Sequence, residues 1–182
     1  MFARPVLVGL VAVSVLLSAG CGSGKSKNTP TNPPPAPSSA APNRGPSTAA
    51  EQDALTAYRG MWSAFVEAAK TSDPEAPDVR KYASEQALKL ISSSLYSDRS
   101  NRQVTQGELH IDPKVTALKP VGTPTEATIV DCVNDENWLK YQASGGLVND
   151  VPGGKHHTTA TVKRTHDGWK VSSFILREKG TC

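Results

Sequence analysis

Acidic residues are missing from the first fifty positions: no Asp or Glu precedes Glu51. All 17 acids lie in 51–182 with 16 of the 20 bases, so that part carries a formal charge of −1. At +3 over 182 residues, the whole chain is too weakly basic to imply a nucleic-acid partner, which needs a clustered basic face. Cysteine is scarce as well. Three residues, Cys21, Cys132 and Cys182, exclude a disulfide-dense miniprotein and a four-cysteine zinc site. The apolar run from Val6 to Leu17, broken by Gly9 and Ser14, has twelve residues, short of the ~20 of a membrane-spanning helix. No Gly-x-Ser-x-Gly elbow, phosphate loop, dinucleotide fingerprint or His-Glu-x-x-His pair occurs. Residues 22–50 contain no aromatic residue and no Leu, Ile, Val or Met, so they cannot bury a core.

What is present begins with an address. Met1 to Pro5 carries one positive charge, Arg4, and Val6 to Leu17 has the length of a signal-peptide apolar region. Leu17-Ser-Ala-Gly-Cys21 follows and resembles the bacterial lipobox. The resemblance implies that 1–20 is a signal peptide and that Cys21 becomes the lipidated first residue of the mature chain. Ser18 stands where that family usually has a larger aliphatic residue. Two or more acyl chains, at about 0.8 kcal/mol per buried methylene, suffice for stable anchoring. The expected location is the extracytoplasmic face of the cell membrane, with the membrane itself as a partner through Cys21. Residues 21–50 then form a tether. Seven of the 14 prolines fall there, which predicts disorder with polyproline II character. As a flexible coil it spans roughly 30 Å. With Cys21 lipidated, Cys132 and Cys182 remain, and an oxidising compartment predicts a disulfide between them.

The folded part is expected at 51–182. Leu55, Tyr58, Trp62, Phe65, Val66 and Ala69 follow one helix face, and Thr71-Ser-Asp-Pro74 ends it. A second helix, capped by Asp78 or Ser84, carries the stripe Tyr82, Leu88, Ile91 and Leu95. After Arg102 the period falls to two. Strands are expected at 108–111, continuing through Val115 and Ala117, then at 126–133, 138–141, 158–164 and 169–177, with Asp167-Gly168 as a hairpin turn. Helices followed by a meander of strands predict an α+β fold, N-terminal helices packed on a curved antiparallel sheet.

This order resembles the NTF2-like, or cystatin-like, α+β cone. A narrower resemblance, to small secreted lipoproteins of actinobacteria, rests on Asp131-Cys132, Asn137-Trp138, Gly168-Trp-Lys-Val-Ser-Ser173 and Gly180-Thr-Cys182. That group has no established activity, so the resemblance implies fold and location but no mechanism; a binding or scaffolding role without a cofactor is the expectation. An envelope protein or a small apolar ligand is the expected partner. One alternative is an interaction module of a cell-envelope assembly, working through the exposed sheet face. Another is an isomerase or dehydratase type of enzyme, since enzymes of this fold place an Asp or His inside the cone with a Tyr as donor. Asp131, Tyr141 and His110 are the candidates here. Of the other histidines, His166 lies in a turn, and the neighbours His156 and His157 point to opposite faces of a strand, a poor geometry for a metal. Trp62 belongs to a core stripe; Trp138 and Trp169 are candidates to line a ligand cavity, although large aromatics in a domain this size are usually core, and Trp138, in the polar stretch Asn134–Lys140, is the one candidate for exposure.

Overall fold

The computed structural model describes residues 45–149 and 151–182. The expected signal peptide at 1–20, the expected lipidation site Cys21 and the expected tether as far as residue 44 lie outside the described residues.

Helix α1 runs Pro46–Ala69 and begins on a proline, whose missing N–H costs nothing in a first turn. Ala54, Ala57, Tyr58, Met61, Trp62, Phe65 and Ala69 form its buried face, and Ala50 is buried one turn earlier. The folded part therefore starts before Glu51, and 46–50 belong to the helix and not to the tether. Small alanines, which carry little hydrophobic signal, supply the contact there.

The single second helix is corrected to two. Helix α2 spans Pro77–Tyr82 and helix α3 spans Glu85–Ser100. Between them Ala83 is extended, and the Ser84 N–H donates to the Val171 carbonyl at 2.9 Å. That bond to the sheet interrupts the helix. Asp78 sits in the first turn of α2, Ser84 immediately precedes α3, and Tyr82 lies outside the α3 stripe. The Tyr82 ring packs so close to Gly60 that a Cβ there would lie 2.7 Å from it, so glycine is what lets α1 and α2 meet.

Six strands follow: β1 Gln103–Gly107, β2 Lys114–Lys119, β3 Glu126–Asn134, β4 Trp138–Gln142, β5 Lys155–Thr165 and β6 Gly168–Leu176. Strands β2, β3, β5 and β6 make one antiparallel sheet in that order. The simple meander is corrected too, because β4 leaves this sheet and pairs with β1. Lys140 of β4 forms an ion pair with the buried Asp98 of α3. The strand expected at 108–111 lies upstream as β1, and His110 keeps only an isolated bridge to Asn134.

Period-two burial puts Ala127, Ile129, Asp131 and Val133 of β3 on the inner face with Thr158, Ala160 and Val162 of β5. The pairing skips one residue in β2, between Val115 and Ala117, and one in β6, at Ser172. Such bulges bend and twist a strand, which wraps the sheet around α1. The result is the expected α+β arrangement of helices on an antiparallel sheet. On the outer face, Cys132 is bonded to Cys182 with a Cα separation of 6.0 Å, so the expected disulfide is present. The C-terminal segment folds back over the start of β5: the Gly180 N–H donates to the Lys155 carbonyl, and the His157 N–H to the Thr181 hydroxyl.

Candidate functional site

Asp131 faces inward and is 3 % exposed. A buried carboxylate needs partners, and both its oxygens have one. The Tyr58 phenol donates to Oδ2 at 3.0 Å, and the Asp112 N–H donates to Oδ1 at 2.8 Å. Burial raises the pKa of Tyr58, and the Asp131 charge raises it further; the Trp62 indole, near the phenol without a well-formed hydrogen bond, acts the other way. An Asp with a Tyr donor is therefore present between α1 and the inner face of the sheet, but the tyrosine is Tyr58 and not Tyr141.

Tyr141 lies on β4, paired with Val104 and bridged to Leu147, and the departure of β4 keeps it off the inner face. His110 is exposed, and its backbone exchanges two hydrogen bonds with Asn134. The constellation Asp131, Tyr141 and His110 is not assembled, and none of the three lines a principal cleft. Sequence reasoning passed over Tyr58 because it sits on a core stripe. A tyrosine there still needs a partner for its hydroxyl, which signals a buried polar group opposite it without saying which one.

Four rings gather beside this pair. Trp62 packs 5.4 Å from Phe174 and 6.2 Å from Phe65, and Phe65 meets Trp138 edge-on at 5.0 Å, between ring centres. Trp138 is thus half-buried and not exposed, because the turn after β3 delivers it onto α1. Its indole N–H, like that of Trp62, is enclosed without an acceptor among the described residues. The rings form the base of a cleft of about 250 Å³ between α1, α3 and the ends of β3 and β6. Ile91, Leu109 and Val133 complete its walls, and Leu90 and Leu176, 44 % and 41 % exposed, stand at it. Ser94 and Asp135 add polar groups. Asp135 Oδ1 accepts from the Gly154 N–H at 2.6 Å and lies 3.1 Å from the His156 ring, whose other nitrogen lies 2.8 Å from the Arg177 carbonyl. Asp135 is thereby held as a structural brace.

A second cleft, about 440 Å³, lies across a wall made by Trp62 and Leu109. Arg59, Ser63, Glu67, Lys70 and Glu108 give it a charged lining. Among the described residues no three His, Cys, Asp or Glu side chains gather to hold a metal ion, and no helix is long and apolar enough to cross a membrane.

No family model and no curated protein sequence matches the chain. Solved structures do resemble it. The Kfla4162 protein of Kribbella flavida is 16% identical over 70% of this chain and 91% of its own, with a TM-score of 0.47. A domain of unknown function with a cystatin-like fold from Nostoc punctiforme is 13% identical over 70% and 78%, with a TM-score of 0.43. The intermembrane space region of the chloroplast protein ARC6 is 18% identical over 69% and 97%, with a TM-score of 0.39. Scores this low carry nothing about activity, and the fold class stands on the element arrangement described above.

Proposed function

We propose that this chain is a lipid-anchored extracytoplasmic binding protein that holds a small apolar ligand in the aromatic cleft. The observation that carries the binding role is the cleft itself, with rings at its base and two half-exposed leucines beside it. Concave, mostly apolar sites with a few polar groups are the usual form of small-molecule sites. Catalysis through Asp131 has less support, because both its oxygens are occupied and it lines no principal cleft. Anchoring draws its support from Leu17-Ser-Ala-Gly-Cys21 and from the disulfide, a bond that persists in oxidising compartments.

Binding is tested with the neutral fluorophore N-phenyl-1-naphthylamine. Leu90→Glu and Leu176→Glu place charge beside the cleft at half-exposed positions, and each should weaken binding at least tenfold with an unchanged melting temperature. Equal affinity in both variants would rule out the cleft as the site. Anchoring is tested by fractionation: Cys21→Ala should remain uncleaved or leave the membrane fraction, and wild-type behaviour of that variant would refute the anchor.

A further inference from the structure

The aromatic cleft and the charged cleft share Trp62 and Leu109 in their linings, so they are neighbours on either side of those two side chains. The two sides differ in chemistry. Rings and aliphatic side chains dominate the first, with Ser94 and Asp135 as its polar groups, whereas in the second Arg59, Glu67, Lys70 and Glu108 stand among Val66, Ile111 and the shared pair. A molecule matched to both is an amphiphile, with its tail in the aromatic cleft and its head beyond Trp62.

The charges narrow the head group. Lys70 and Glu67 neutralise each other at 2.6 Å. Arg59 and Glu108 line the same cleft and have no ion-pair partner among the described residues. Arg59 comes from α1, and Glu108 from the segment after β1. A purely anionic head would meet Arg59 but also Glu108, and a cationic head would face the converse conflict. A head carrying both charges satisfies each, its anionic group at the forked Arg59 guanidinium and its cationic group at Glu108. We infer that the site takes a single-tailed zwitterionic amphiphile, with Arg59 and Glu108 as the residues that select its head. The inference rests on the binding role proposed for the aromatic cleft.

The test compares heads on one tail. Dodecylphosphocholine, dodecanoate, dodecyltrimethylammonium and dodecyl maltoside, each below its micelle concentration, are titrated against the Cys21→Ser chain purified without detergent. Binding is read by tryptophan fluorescence. Dodecylphosphocholine should bind at least fivefold tighter than the other three. Arg59→Gln and Glu108→Gln should each erase that preference while leaving dodecyl maltoside affinity unchanged. Equal affinity for all four heads would overturn the head-group inference and leave the apolar cleft standing. Tighter dodecanoate binding in Glu108→Gln, with dodecylphosphocholine unaffected, would overturn the zwitterion in favour of an anion. Absence of binding by every probe would defeat both the inference and the binding role beneath it.

Discussion

At the residue scale, the buried pair Tyr58–Asp131 joins α1 to the sheet through one hydrogen bond. Removing the phenol oxygen leaves a buried carboxylate oxygen without its donor, which costs about 1–3 kcal/mol. Tyr58→Phe should lose about that much at neutral pH in urea denaturation. The same pair makes stability depend on alkaline pH. Tyr58 holds its proton more tightly folded than unfolded, because burial and the Asp131 charge oppose the phenolate. Its contribution is intact below the ordinary tyrosine value near 10 and is lost as the pH rises beyond it, at up to about 1.4 kcal/mol per pH unit. Urea curves between pH 9 and 11 should therefore fall more steeply for wild type than for Tyr58→Phe. Parallel slopes would show that Tyr58 ionises freely in the folded chain.

At the element scale, α1 was legible from Leu55 onward, because its large residues repeat at helical spacing. Its first turns were not, since Ser, Thr and Ala resemble the tether before them. Burial of Ala50 and the start at Pro46 make those turns part of the fold. A chain beginning at Gly45 should melt about 3–6 °C above one beginning at Glu51, the shift expected for about 1 kcal/mol in a domain of this size. Coincident thermal transitions would return 46–50 to the tether. The destination of β4 was hidden for a different reason. Alternation shows that 138–141 is extended, but pairing with β1 depends on Lys140 reaching Asp98 and on Trp138 reaching Phe65, both contacts distant in sequence.

At the scale of the whole molecule, the Cys132–Cys182 bond ties the chain's end to β3 across the start of β5. The two cysteines are 50 residues apart, a separation the chain-entropy model rates at about 4 kcal/mol. Cys132→Ser and Cys182→Ser should destabilise by similar amounts up to that figure, and the double variant should be no worse than the worse single one. An additive double variant would mean that the cysteines contribute separately.

By itself the sequence determined the α+β class, most element positions and the cysteine pair. These follow from local periodicity, turn chemistry and the number of cysteines, all of which are written along the chain. Asp131 is a candidate only through the resemblance to enzymes of this fold, because alternation along 126–133 does not say which face of the strand is buried. Only the tertiary structure decided which tyrosine meets that acid, that Trp138 turns inward, and that rings from α1, β4 and β6 enclose one cleft. Those outcomes depend on which strand leaves the sheet and how the sheet bends over α1. Both are fixed by contacts between residues tens of positions apart, for which period and propensity carry no signal.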